Sequence, residues 1–261
     1  MARMIAIANQ KGGVGKTTTS INLAASLAVA ECKTLLVDCD PQANASSGVG
    51  LYREQIGKDL YHLLINETET GDVVYGTALR YLEVVPATTD LIGAEVELQG
   101  MAAREKILRQ CLGDAASLYE YIIMDCPPSL GLLTINALAA AGTVIIPLQC
   151  EYYAMEGLSQ LLKTIQLVKR TLNPALRIEG ILLTMFDGRN NLCHQVAGEV
   201  RRHFGEKVFR TVVPRNVRLG ESPSHGKPAL LYDLNSKGAQ AYLELAKEVM
   251  SRFRGLDGQV A

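Results

Sequence analysis

One short stretch constrains this chain more than any other. Lys11-Gly12-Gly13-Val14-Gly15-Lys16-Thr17-Thr18 lies between an apolar run ending at Asn9 and a helix-like segment beginning near Lys16. Glycines allow successive backbone N–H groups to curl around a phosphate chain without a Cβ clash. A helix that starts there adds the partial positive charge of its N-terminus. Lys16 is then placed to meet terminal phosphate oxygens, and the Thr17 hydroxyl to ligate Mg²⁺. The pattern G-x-x-x-x-G-K-[ST] asks for glycine where Gln10 stands, so the match fails by one position. Gly12, Gly13 and Gly15 still supply the required freedom, and a phosphate loop is the expectation.

The rest of the chain alternates apolar runs with helix-like stretches. Strands are expected at Met4–Asn9, Thr34–Asp38, Leu82–Pro86, Tyr121–Asp125, Thr143–Leu148, Ile178–Met185 and Val208–Pro214. Helices are expected at Lys16–Ala30, Ala103–Ala116, Leu132–Ala141, Met155–Thr171, Cys193–Phe204 and Ser236–Phe253. Runs that are apolar on both alternating faces suit strands buried between two helical layers. The predicted fold is α/β, a mostly parallel sheet of about seven or eight strands with helices on both faces. The polar stretch Asn66–Thr77 reads as irregular. No composition break marks a second domain, so residues 1–254 read as one unit and 255–261 as a flexible tail.

Composition excludes several classes. The chain has 261 residues, 48% of them hydrophobic and 20% charged, which is too apolar for a disordered protein. No apolar run approaches the roughly 18 residues of a membrane span. Met1-Ala2-Arg3 leads straight into a strand and leaves no room for a signal peptide, so a cytoplasmic protein is expected. Six cysteines are scattered without CxxC pairs and read as small buried residues in a reducing compartment. A net charge of −1 gives no whole-chain sign of nucleic-acid binding, which would have to come from a local patch.

Three acids close expected strands: Asp38 and Asp40 in Val37-Asp38-Cys39-Asp40-Pro41-Gln42, and Asp125 in Ile123-Met124-Asp125-Cys126-Pro127-Pro128-Ser129. A lone acid at a strand end is ordinarily a loop cap. Three of them beside a phosphate loop fit the rule that ligands gather outside the carboxyl ends of parallel strands.

Together these stretches resemble the ParA/Soj family of partition ATPases, relatives of MinD with a deviant Walker phosphate loop. Gln149-Cys150-Glu151-Tyr152-Tyr153-Ala154 and Val213-Pro214-Arg215-Asn216-Val217-Arg218 add to the likeness, which covers roughly residues 3–253. The resemblance implies ATP and Mg²⁺ as ligands and roles for single residues. Lys11 matches the signature lysine that reaches across an ATP-sandwiched homodimer to the partner's phosphates, and Gly12 the glycine at that interface. Lys16 and Thr17 match the phosphate lysine and the metal ligand. Asp40 matches the acid that orients the attacking water, Asp38 a supporting acid near the metal, and Asp125 the second carboxylate there. Pro214 and Asn216 fall in the adenine pocket. Guanine-specific relatives carry Asn-Lys-x-Asp after a late strand, where this chain has Thr184-Met185-Phe186-Asp187, so ATP is expected over GTP.

The resemblance also implies non-specific double-stranded DNA as a partner of the ATP dimer, and a nucleoid-associated location. Arg189 and Arg218 match family arginines that contact DNA, with Lys227 and Lys247 as weaker candidates. Between Glu199 and Lys227 stand seven basic and three acidic residues, a local excess of positive charge in a chain that is slightly acidic overall. Intrinsic hydrolysis is expected to be weak, with a ParB/Spo0J-type centromere-binding protein as activator.

Three rival readings carry their own signatures. A MinD-like membrane cycle needs a C-terminal amphipathic helix with a basic face; here Glu244 and Glu248 balance the bases, Gly255 closes the helix, and no membrane partner is expected. An iron–sulfur ATPase needs a cysteine seven residues beyond Asp125, where Leu132 stands. A nucleotide-gated scaffold without turnover has no use for Asp40.

Overall fold

Continuous apolar runs decide where the sheet lies. In the computed structural model, which describes residues 2–152 and 154–257, the eight strands are β1 (Arg3–Ile7), β2 (Thr34–Asp38), β3 (Tyr75–Gly76), β4 (Leu82–Val85), β5 (Tyr121–Asp125), β6 (Thr143–Gln149), β7 (Arg177–Phe186) and β8 (Val208–Pro214). They form one sheet in the order β3-β4-β2-β5-β1-β6-β7-β8. Every pairing is parallel except that of β3 with β4. The central strands β2 and β5 are buried along their whole length, as a sheet covered on both faces requires.

Eleven α-helices are assigned among the described residues: α1 (Lys16–Val29), α2 (Asn44–Gly48), α3 (Leu60–Leu64), α4 (Leu91–Glu97), α5 (Ile107–Ala115), α6 (Leu132–Ala140), α7 (Ala154–Thr171), α8 (Asn191–Phe204), α9 (Val217–Glu221), α10 (Ala229–Tyr232) and α11 (Lys237–Asp257). Two hydrophobic layers result. Residues of α3 to α8 pack on one face of the sheet, around Leu35, Val37, Ile122 and Ile146. Residues of α1, α2, α10 and α11 pack on the other, around Ile5, Ile7, Leu36 and Ile123. Helix α1 is buried nearly all round, because it lies between the sheet and α11; its alanines and serines permit that close approach.

The predicted strands and long helices are present, with ends displaced by a few residues. Two expectations need correction. The stretch 66–77 holds the short antiparallel strand β3, whose two residues are too few to leave a periodic signal. The last helix does not stop at Gly255 but runs to Asp257, since a single glycine near a helix end costs only about 1 kcal/mol. The expected tail therefore begins no earlier than residue 258, and 258–261 lie outside the described residues. No described helix is long and apolar enough to cross a membrane.

Candidate nucleotide-binding site

Parallel pairing fixes the site before any side chain is considered. The register sets Ile7 of β1 and Asp38 of β2 on either side of Asp125 in β5. The loop leaving β1 thus opens directly over two strand-end carboxylates. Gly13 (φ 74°) and Gly15 (φ 88°) take the left-handed conformation within that loop, where an L side chain would cost about 1–2 kcal/mol. A Cβ on Gly12 or Gly13 would meet open space, so sterics within this chain do not forbid one at Gly12.

The loop is braced from its flanks. Asn9 Nδ2 donates to the Pro147 carbonyl (2.7 Å), and Asn9 Oδ1 accepts from the Lys11 amide (3.1 Å). The Thr184 hydroxyl, from β7, donates to the Val14 carbonyl (2.8 Å). Nothing in the sequence marks Asn9 and Thr184 as binders of the loop, because Pro147 and Val14, which they meet, lie far from them along the chain. Helix α1 begins at Lys16, with Gly15 as its cap and no side chain capping its amides. Those amides remain available to an anion.

Lys16 is only 6% exposed, and its ammonium donates to the Lys11 carbonyl (3.1 Å). Burial pulls its pKa down, while Asp125 and Asp40 push back. Asp125 is wholly buried. Its Oδ1 accepts from the Ser20 hydroxyl (2.7 Å), and Oδ2 is buried without a hydrogen-bond partner. Burial, with the neighbouring Asp38 charge added, raises the Asp125 pKa. Ser20 and the neighbouring Thr17 oppose that rise. A buried carboxylate oxygen lacking a donor or cation is costly. The orphaned Asp125 Oδ2 beside Thr17 therefore fits a magnesium ion whose other ligands are phosphate oxygens and water. Among the described residues no group of three or more His, Cys, Asp or Glu could hold a metal.

Asp38 is otherwise engaged. Its Oδ1 accepts from the Asp40 amide (3.1 Å), and its Oδ2 from the Ser46 amide (2.8 Å) and hydroxyl (2.7 Å). Burial raises its pKa, and the Ser46 bonds oppose the rise. The geometry makes it a brace tying the end of β2 to α2, beside the metal position rather than open to it. Asp40 is nearly buried and accepts from the Gln42 amide (3.0 Å). Three residues later, Ala43 takes φ 55°, a left-handed conformation uncommon for a residue with a Cβ.

Lys11 does not point into empty solvent. Its ammonium is paired with Glu151, just beyond β6, and both side chains are about two-fifths exposed. The sequence places Glu151 in a family-like stretch without revealing this contact.

The adenine and DNA candidates lie farther round. Pro214 ends β8 opposite Phe186 of β7. Asn216 caps α9 by accepting from the Arg218 amide (3.0 Å). Arg189 is 92% exposed yet chelates Asp187 through Nε (3.0 Å) and Nη2 (2.9 Å), which holds the Asp187 pKa down at about 2. Arg218 is bonded to Glu221 (2.8 Å) and lies 3.2 Å from Asp233. Lys247 is paired with Glu244 (2.6 Å), whereas Lys227 is exposed. The basic candidates are thus on the surface, but three of the four already have carboxylate partners. All six cysteines are unbridged; five are buried and Cys111 is half-buried.

Comparison with known proteins agrees with this geometry. A family profile described as "AAA domain" matches residues 2–178, well over half of the chain. The chromosome partitioning protein ParA of Myxococcus xanthus is 62% identical over 252 residues, covering 97% of this chain and 89% of that protein. The sporulation initiation inhibitor protein Soj of Bacillus subtilis is 56% identical, covering 95% and 98%. Among solved structures, cobyrinic acid a,c-diamide synthase from Mycobacterium smegmatis with bound ADP and magnesium superposes with a TM-score of 0.86 at 35% identity, covering 97% and 96%. Its name denotes another activity, but the sequence is far nearer to the partitioning proteins. With the glycine loop over Asp125, the buried Lys16 and relatives matched almost end to end, the chain belongs to the ParA/Soj family of chromosome-partitioning ATPases.

Proposed function

We propose that two copies of this chain close face to face on two Mg–ATP molecules, that the closed dimer holds DNA without sequence preference, and that hydrolysis to ADP and phosphate releases it. A ParB-type centromere-binding protein stimulates that hydrolysis, and the cycle moves a chromosome or plasmid through a nucleoid-associated pool in the cytoplasm. The supporting observation is the division of labour between two lysines. Lys16 is buried and turned onto its own loop, while Lys11 stands half-exposed at the rim, held by a surface ion pair with Glu151. Exposed pairs of this kind contribute about 0–1 kcal/mol, so a partner's phosphates readily displace Glu151.

The residues divide the chemistry among themselves. Loop amides from Gly12 to Thr18, with Lys16, bind and orient the phosphates. Thr17 and Asp125 hold magnesium, with Asp38 keeping the end of β2 in register beside them. The metal that these residues would hold would supply neutralisation of the phosphate charge. Asp40 orients the attacking water, Lys11 from the partner copy faces the charge that develops on the transferred phosphoryl group, and Pro214 and Asn216 border the adenine.

For DNA, Arg189 and Arg218, assisted by Lys227 and Lys247, neutralise phosphates, and dimerisation sets two such surfaces side by side. Retention of DNA with non-hydrolysable ATP analogue and with ADP, each at two salt concentrations, tests the coupling. The proposal expects strong retention only with the analogue, falling steeply with salt. Equal retention in both nucleotide states contradicts it.

A further inference from the structure

The surface beside Asp40 carries an apolar feature that the nucleotide site does not use. A cleft of about 280 Å³ opens between Pro41–Ala43, which follow Asp40 directly, and Leu51, Ile56 and Ala87. It falls just below the roughly 300–1,000 Å³ of small-molecule sites, so it suits an inserted side chain better than a whole ligand. Helix α4 starts at its rim: Thr88 and Thr89 line the cleft, and the Ile92 amide donates to the Thr89 carbonyl (3.1 Å). One turn apart on α4, Ile92 is 61% exposed and Val96 69%, while Leu91, Ala94 and Leu98 are buried in the core. Cleft and helix together make one apolar face.

Charge identifies what covers it. From Leu51 to Gly100 the chain has nine acidic and three basic residues, the reverse of the basic excess between Glu199 and Lys227. Two of the three bases are committed, Arg53 to Asp90 at the cleft rim (3.0 Å) and Lys58 to Asp72 (3.6 Å). Glu95 and Glu97 flank the exposed pair on α4, and neither forms an ion pair with a described residue. Glu97 accepts from the Tyr61 hydroxyl (2.8 Å), and Glu67 stands close enough to act on the same hydroxyl. A face that is apolar at its centre and acidic around it complements a peptide segment that is apolar and positively charged. The same acids repel DNA.

The walls of the cleft are tied to the reacting groups. The Gln42 amide donates to the Asp40 carboxylate (3.0 Å), and the Ala43 amide to the Asp40 carbonyl (2.9 Å). Ser46, also in the lining, donates its hydroxyl to Asp38 and accepts from the Ala87 amide (3.1 Å). A side chain entering the cleft therefore touches the segment that positions Asp40. We propose that the α4 face and this cleft receive a positively charged, partly apolar segment of the activating partner, which covers Ile92 and Val96, fills the cleft and adjusts Asp40. This inference rests on the reading that such a partner stimulates hydrolysis.

The probe is the full-length ParB-type protein of the same organism, fluorescently labelled. Its binding to the full chain with magnesium and a non-hydrolysable ATP analogue is read by anisotropy at two salt concentrations, and its stimulation of phosphate release is measured with ATP. The variants are Ile92→Asn/Val96→Asn and Glu95→Gln/Glu97→Gln. For the first, the inference expects binding weakened at least about tenfold and most of the stimulation lost, as removal of two apolar anchors implies. Nucleotide binding, ATP-dependent dimerisation and DNA retention should stay unchanged, which also shows that the variant folds. For the second, binding should weaken about threefold at low salt and less at high salt. Equal binding and stimulation of wild type and Ile92→Asn/Val96→Asn overturns the inference and leaves the partner reading standing. Undiminished binding by Glu95→Gln/Glu97→Gln overturns the positive charge assigned to the segment. Loss of ATP-dependent dimerisation by the first variant overturns the inference in favour of a second copy of this chain on the face. Failure of the probe to stimulate wild type overturns the partner reading, and the inference with it.

Discussion

The carboxyl edge of the sheet and the basic surface that includes Arg189 and Arg218 handle charge in opposite ways. At the carboxyl edge Lys16, Asp38 and Asp125 are buried, and Asp125 keeps one oxygen with no donor. On the basic surface Arg189 and Arg218 are exposed, and both are already matched by carboxylates of the same chain. The first region is incomplete without a ligand, so its ligand is written into the fold. The second is complete as it stands, so an external anion must compete with Asp187, Glu221 and Asp233. Such a surface gains little from one weak contact and much from two presented together, which is why DNA binding in this account depends on dimerisation.

The sharpest way to break the contrast is at Lys16. Replacing it with alanine leaves Asp125 and Asp40 without their buried cation, and nucleotide affinity should fall by about 100-fold or more in a direct titration. Affinity within a few-fold of wild type would mean that the loop amides suffice and that the buried charges are structural. Next comes Asp40→Ala. Dimerisation with ATP should survive, while turnover, measured as phosphate release with DNA and the partner present, should drop by about 10²-fold, the usual scale for a carboxylate that accepts a hydrogen bond or proton from the attacking water. Retained turnover refutes its role in orienting water.

Such differences also decide what can be read from the chain without its fold. Strands β2 and β5 are legible because a strand buried on both faces must be apolar throughout. The phosphate loop is legible because three glycines before a lysine have few other uses. Helices α2, α3 and α4 are not, since five to seven residues do not establish a 3.6-residue period. The supports of the site stay hidden for another reason. Ser20, Ser46, Asn9 and Thr184 are ordinary polar residues whose meaning lies in partners distant in the chain, such as Asp125, Asp38, Pro147 and Val14. The pairing of Lys11 with Glu151 belongs to the same class. Sequence likeness places both residues, and only the packing of β6 against β1 shows that they meet.

In the Lys11–Glu151 pair an exposed, satisfied charge sits at the rim of the buried set. Glu151→Gln should release Lys11 and tighten ATP-dependent dimerisation by up to about fivefold, the upper range for an exposed ion pair, as read from the concentration dependence of molecular mass. Weaker dimerisation would mean that Glu151 holds Lys11 in its working position instead of competing with the phosphates. The smallest effect is expected on the basic surface. Asp187→Asn frees Arg189 from its chelating partner and should raise DNA retention of the ATP-bound form by about two- to threefold at low salt, with the gain lost as salt rises. No change would show that Arg189 is not at the DNA.

In the proposed cycle Lys11 acts on a second molecule. Molecular mass in solution, by light scattering with a saturating non-hydrolysable ATP analogue and magnesium, tests it most directly on wild type and Lys11→Ala. The account predicts a dimer for wild type and a monomer for the variant, with nucleotide bound in both. A wild-type chain that binds the analogue and remains a monomer, or a Lys11→Ala chain that dimerises as well as wild type, would contradict it.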